Sequence, residues 1–516
     1  MNTNALPRAQ FKPILAFLIG LALIWILAQA VLQSPAYILI PVMIAAAVIA
    51  LVQIMKNWRT GILIFLVWML FEDLARKFMG NNMALYFAKD LLAAACLLSF
   101  YRGNIRERRV DFRLAFFSPF VLFFAWAVLE VFNPYSPSPL YGLLGLNDYF
   151  GYVPLFFLGY ALLRNGNDLR RFLLFNLAIA ALIGALGIAQ SISGQALLAP
   201  AELAPDIREL GTLQREVPTT HERFIRVTSV FVSDGRFSSY MLMAWILGFG
   251  AATYFFTRGL SGRGWILAAM VTLMGAILLS GSRGALLYSL ISASVMAIAY
   301  LREIRWRTTR AHRIAVAVVS TVVLVGLAMI FLSAVYPEAL GPRIAFYQET
   351  LLPSSPNSEL GWRAWGYPLS EFAKAFDSPN WILGNGTGTC SLGTQYVTRI
   401  AGASPSGIGV ESGFGNLMLE LGLPGLALWA AWTIALLISC WSVMRRLRGT
   451  ILFPVGFAIS WFVFLMLFPD MLGGLSYENF VLNAFLCLLL GVFFSLPSLL
   501  ETEQAPAVAR SLLGIR

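Results

Sequence analysis

Apolar runs of about 17–25 residues recur from one end of the chain to the other, each long enough to cross a hydrocarbon layer roughly 30 Å thick. They predict membrane spans near 13–32, 36–55, 60–72, 84–100, 114–132, 149–163, 172–191, 238–257, 264–280, 284–301, 314–335, 413–440, 451–468 and 479–497, the third being the shortest. The expected fold is all-α, a polytopic transmembrane bundle of about fourteen helices. Polar positions gather in two long segments, 193–236 and 336–412, rich in Pro, Gly, Ser and charge, while most other loops are short. Three regions follow: an N-terminal bundle over 1–280 with its outer loop 192–236, a central region over 281–440 that includes loop 336–412, and C-terminal helices with a tail over 441–516. No internal repeat stands out, and the halves of the chain carry unlike loops, which argues against an inverted-repeat transporter.

Composition agrees with this pattern. The 516 residues are 59% hydrophobic and 12% charged, too little charge to clothe a soluble domain of that length. A net charge of +11 would raise the question of nucleic acid in a soluble protein; in a membrane protein its distribution matters more. With both termini cytoplasmic, 24 of the 37 Lys and Arg fall on the inner side, concentrated in 102–113, 164–171 and 302–313. Only six of the 26 acids join them, so the positive-inside rule sets this orientation and puts both long polar segments outside. The first span is too long for a cleaved signal peptide and lacks a small-residue cleavage site, so it is expected to remain as a helix. Cys96, Cys440 and Cys487 lie in apolar spans and Cys390 stands alone in an outer loop, which implies no disulfide. His221 and His312 are far apart, and no zinc-type spacing exists, so neither metal nor cofactor is expected.

Charged residues at the outer ends of spans carry the candidate chemistry. Arg283, in Ser280-Gly281-Ser282-Arg283-Gly284 between two apolar helices, is either a functional cation or an arginine snorkelling to headgroups. Arg363 lies between Trp362 and Trp365; guanidinium and aromatic faces together suit a phosphate and a sugar ring, and an interfacial belt is the competing reading. Arg226 and Arg236 frame the entry to the span at 238, where either could complete an anion site; an Arg236–Asp234 pair or simple snorkelling is the competing reading. Glu411 sits where the chain re-enters the bilayer and is a helix cap or a general base raised by partial burial. Glu420, deeper in the same apolar run, demands a partner or a polar cavity, and Lys89 and Asp90 demand partners on other helices. The Gly-rich stretch Leu383-Gly384-Asn385-Gly386-Thr387-Gly388 reads as a surface turn, or as a loop whose exposed amides approach an anion.

These residues resemble the O-antigen ligase and O-antigen polymerase family of bacterial surface-polysaccharide enzymes. Ser282-Arg283-Gly284 is similar to the Ser-Arg-Gly opening the family's shared domain. Arg363 and Trp365, followed by Pro379 and Gly384-Asn385-Gly386, are similar to its Arg–Trp–Pro–Gly-x-Gly segment. Glu411-Ser412 through Leu419-Glu420-Leu421-Gly422-Leu423-Pro424-Gly425 resembles its His-Asn followed by Glu-x-Gly-Leu-x-Gly. A fourth, slighter likeness covers 86–92. The main likeness spans 280–430 and departs at Glu411-Ser412, where ligases carry His-Asn. The resemblance implies a membrane-glycosyltransferase bundle with a large periplasmic loop, in the bacterial inner membrane. It also implies metal-independent transfer of a glycan from an undecaprenyl diphosphate carrier to an acceptor glycan or lipid. Arg283 and Arg363 would hold the diphosphate and Glu411 would stand in for the base; a chain-length regulator is a candidate partner and nucleic acid is not. The rival class is a lipid-linked oligosaccharide flippase, which needs ionisable groups along a path through the bundle.

Overall fold

A computed structural model describes residues 39–79, 83–107, 115–194, 197–198, 214–303, 334–405 and 409–512. The expected span at 13–32, and that at 314–335 but for its last two residues, lie outside the described residues. In chain order the helices are α1 (Leu39–Lys56), α2 (Trp58–Phe78), α3 (Met83–Glu107), α4 (Phe117–Leu129), α5 (Pro139–Phe150), α6 (Leu155–Leu162) and α7 (Gly166–Ser193). A two-stranded antiparallel hairpin follows, β1 (Gln214–Glu216) with β2 (Arg223–Ile225), then α8 (Asp234–Arg258), α9 (Arg263–Leu279) and α10 (Arg283–Glu303). The second long polar segment holds α11 (Pro337–Leu351), a π-helical turn (Trp362–Gly366), α12 (Tyr367–Ala373) and α13 (Thr394–Ala401). The chain then continues as α14 (Gly413–Leu447), α15 (Phe453–Leu467), α16 (Pro469–Gly473) and α17 (Phe480–Leu512).

The protein is all-α apart from that hairpin, and seven of its described helical stretches are long and apolar enough to cross a membrane. Three more, over 45–56, 117–132 and 263–279, are apolar but shorter. Two expected spans change form. The run at 60–72 is the middle of a longer helix, α2, whose Asn57 caps the first turn and whose last turns carry Arg76 and Lys77. The run at 149–163 is not one span: a turn over 151–154 separates α5 from α6.

The first 21 residues of α17 form the most buried spanning stretch, almost all of it inside the protein, so this stretch is apolar all round rather than on one face. Small residues bring it against α6: a side chain added at Gly491 would meet the Phe156 carbonyl at 2.1 Å, and one at Gly159 the Leu488 carbonyl at 2.1 Å. Backbones this close gain dispersion contacts that lipid does not offer.

Buried charges collect at one end of the bundle. The last turns of α2, the first turns of α3 and the start of α8 meet there. Arg236 Nη1 contacts both oxygens of Asp73 at 3.1 and 2.8 Å, Lys89 faces Glu72 at 3.5 Å, and Arg76 pairs with Asp73 at 3.2 Å. Lys77 donates to Thr228 Oγ1 and to the Ser229 carbonyl at 3.2 and 2.8 Å, tying α2 to the buried segment that leads into α8. Asp90 accepts from Tyr152 at 3.2 Å. Lys89 and Asp90 thus take partners outside their own helix, as an adjacent pair must. Removing one member of such a pair costs about 3–5 kcal/mol, because the other stays buried and uncompensated.

Candidate functional site

The α9–α10 turn lies at this same end. Ser280 Oγ accepts from the Ser282 amide and Ser282 Oγ from the Ala285 amide, so the turn is fixed and Arg283 starts α10. Its guanidinium, almost buried, lies 4.9 Å from the Phe346 ring centroid of α11 and 3.0 Å from Glu359 Oε2. Arg363 reaches the same oxygen: its Nε donates to Glu359 Oε2 at 3.2 Å. Glu359 stands one helical turn before Arg363, and the Arg363 amide donates to the Glu359 carbonyl at 2.8 Å. Two arginines remote in sequence therefore converge on one carboxylate oxygen. Burial works to raise Glu359, but the hydrogen bonds and charges of Arg283 and Arg363 prevail and hold it below the usual carboxylate range.

The chain of contacts continues outward. Arg363 sits 4.6 Å from the Tyr367 ring centroid, and the Tyr367 hydroxyl donates to Glu411 in a short hydrogen bond. Burial, then the Glu411 carboxylate, raise Tyr367 so that it stays a donor. Glu411 itself is exposed, so the burial expected for it is not there; its amide donates to Glu371 Oε2 at 3.0 Å. The cap of α14 is Ser412, whose hydroxyl accepts from the Gly415 amide at 3.3 Å. That leaves the Glu411 carboxylate to face the Arg363 side of the site. Trp362 and Trp365 are both exposed on the π-helical turn, at 56% and 69%, their rings open to a ligand or a headgroup layer.

The other two expected arginines pair with carboxylates other than Glu359. Arg226 is ion-paired with Asp234 at the start of α8. Arg236 is drawn away to Asp73, which is almost fully buried and needs a counter-charge, and its guanidinium covers Phe480 at 4.7 Å. It belongs to the bundle's internal ion pairs rather than to the Arg283–Arg363 convergence.

The Gly-rich stretch also corrects its expectation. Residues 384–389 are buried, and their amides are spent inside the protein. The Asn385 and Gly386 amides donate to the Leu419 and Glu420 carbonyls at 2.8 and 3.0 Å, and the Thr387 amide to the Glu130 carbonyl. The Gly388 and Cys390 amides, with the Ser391 and Tyr149 hydroxyls, surround the Glu420 carboxylate at 2.9 Å each. The loop does cradle an anion, but the anion is the protein's own Glu420. That contact locks loop 382–388 into the break in α14 at Gly422 (φ +66°), two residues before Pro424.

At Ser282 and Gly284, on either side of Arg283, an open cleft of about 140 Å³ runs between α8, α10, α15 and α17. Ser238, Ser239, Ser282 and Asp470 line it toward the loop-bearing end, and Leu242, Ile246, Phe462 and Leu465 are among the residues lining it deeper down. Its polar mouth adjoins the arginine that pairs with Glu359.

The chain matches no protein-family model and no curated protein. Of the residues that carry the geometry, Glu359, Tyr367 and Phe346 escaped sequence reading. Glu359 and Tyr367 had a signal, since each stands one helical turn from Arg363; Phe346 had none.

Proposed function

We propose that this chain is a membrane glycosyltransferase of the O-antigen polymerase or ligase type, acting on glycan carried by undecaprenyl diphosphate. The observation that carries this reading is the convergence of Arg283 and Arg363 on Glu359 Oε2 next to a cleft with an apolar floor. A carboxylate oxygen between two guanidiniums marks where a phosphate oxygen is favoured, and the apolar depth of the cleft suits the first units of a lipid tail. The reading includes about fourteen spans in the bacterial inner membrane, both termini cytoplasmic, and the arginine-bearing end in the periplasm.

In the proposed step, the acceptor hydroxyl attacks the anomeric carbon from the face opposite the diphosphate. A new C–O bond forms, the bond from the anomeric carbon to the phosphate oxygen breaks, and its electron pair leaves on the diphosphate. Arg283 and Arg363 stabilise the charge that builds on that leaving group, Arg283 from a nearly buried position where a fixed charge acts strongly. Glu411 takes the hydroxyl proton, held at the site through Tyr367. Trp362 and Trp365 offer stacking faces for sugar rings, and the anomeric centre inverts. A flippase would need ionisable groups continuing toward the opposite end; among the described residues, buried charges gather at the loop-bearing end, which favours the transferase.

The test is polymer formation in cells. Arg283→Ala and Arg363→Ala should each abolish polymer while the protein inserts in normal amounts; unchanged polymer in both variants discards the diphosphate site. Glu411→Gln should lower transfer by about 100-fold or more if it is the base. Wild-type activity in that variant removes Glu411 from the chemistry.

A further inference from the structure

A fourth guanidinium, Arg215, is within electrostatic reach of Arg226, Arg283 and Arg363 and has no part in the reading above. The hairpin register sets Arg215 directly opposite Phe224, and cross-strand partners project from the same face. The Phe224 ring meets Phe346 edge-on with centroids 5.5 Å apart, and Phe346 is the ring that carries Arg283. On the alternate face, Glu216 and Arg223 pair at 2.9 Å in solvent. One side of the hairpin is therefore an ordinary solvated ion pair, and the other is turned to the arginine site.

The hairpin is firmly seated. Thr219 offers both its amide and its hydroxyl to Glu349 of α11, and Arg343 donates to the Ile225 carbonyl at 3.0 Å. Val217 is fully buried. Against this ordered background, Nε of Arg215 and Nε of Arg226 are shut off from water and have no hydrogen-bond partner among the described residues. An unsatisfied buried donor is unfavourable, and more so among like charges. Burial, then the nearby Arg226 and Arg283, lower Arg215 to about 10. The ion pairs of the cluster do not balance either. Four guanidiniums share two directly paired carboxylates, Glu359 and Asp234, among the described residues, and Glu411 reaches the cluster only through Tyr367.

We propose that Arg215 is a further substrate-binding residue of this site, receiving with Arg226 the second phosphate of a diphosphate whose first phosphate lies on Arg283 and Arg363. The inference rests on the lipid-diphosphate reading and deepens it. A monophosphate engages only the Arg283–Arg363 pair, whereas a diphosphate spans both pairs and satisfies the idle donors. Arg215 thereby sets the preference for diphosphate over monophosphate.

The test uses the purified full chain in detergent, titrated calorimetrically with inorganic pyrophosphate and, separately, with orthophosphate. Arg215→Gln should weaken pyrophosphate binding about tenfold or more, the worth of one charge-assisted hydrogen bond, and leave orthophosphate binding unchanged. Arg215→Lys, which keeps the charge on a similar hairpin, should recover part of the loss. Wild-type pyrophosphate affinity in Arg215→Gln, or equal loss of both anions, overturns the proposal. If Arg283→Gln abolishes pyrophosphate binding while Arg215→Gln does not weaken it, this inference alone falls. Unchanged binding in both Arg283→Gln and Arg363→Gln overturns the diphosphate reading beneath it.

Discussion

Glu359 is the residue on which the site turns, and its charge is held by two partners at once. Because its folded pKa is depressed, the pairing contributes stability fully above the ordinary carboxylate value of 4.5, and that stability is lost as pH falls through the lower folded value. Glu359→Gln removes the titration. Between about pH 5 and about pH 3 the unfolding midpoint of the wild type should fall more steeply than that of the variant. The side chain is 40% exposed, so solvent screening limits the difference to about 1 kcal/mol or less. Parallel slopes in the two proteins would show that the carboxylate is not held. The arginines on either side were legible because an arginine between apolar runs has few reasons to be there. Their meeting point was not, since a contact between the α9–α10 turn and a residue of a long loop leaves no local mark in the sequence. Arg236 illustrates the same limit: its position near a helix start was read correctly, but its partner, Asp73, sits on another helix.

Among the elements, the strap over 382–388 and the broken helix α14 hold each other in shape. Gly388 has φ +77°, and a side chain added there would meet the Tyr141 carbonyl oxygen at 1.9 Å. Gly388→Ala therefore meets both a left-handed backbone and a fixed oxygen, and should cost on the order of 3 kcal/mol. The loss would be read as a lower thermal midpoint in detergent and less protein in the membrane; an unchanged midpoint would mean that the strap is not seated on α5. The glycines announced a turn, correctly. Where its amides go could not be read, because Glu420 lies in a different apolar run and becomes an amide acceptor only after α14 has bent. The extent of α2 was likewise hidden, since its charged last turns look like loop until their buried partners on α3 and α8 are in place.

For the molecule as a whole, the membrane class and the succession of apolar helices were open in the sequence, because hydropathy over a span reports directly on solvent. Packing among the spans was not, since an apolar run reads alike whether it faces lipid or protein. The α6–α17 crossing is the clearest case. Gly491→Leu would force the backbones apart at their closest approach, and should lower the unfolding midpoint by several degrees, as for an overpacked core site. A variant as stable as the wild type would show that the helices have room to separate.

The gathering of buried charge at one end also bears on how the protein is made. Asp73 has a local cation in Arg76 on its own helix, while its second counter-ion, Arg236, is synthesised 163 residues later at the head of α8. A buried carboxylate short of a cation is disfavoured. The ion-pair set is complete only once α8 docks against α2, so a chain truncated before residue 236 should be less stable than the whole bundle.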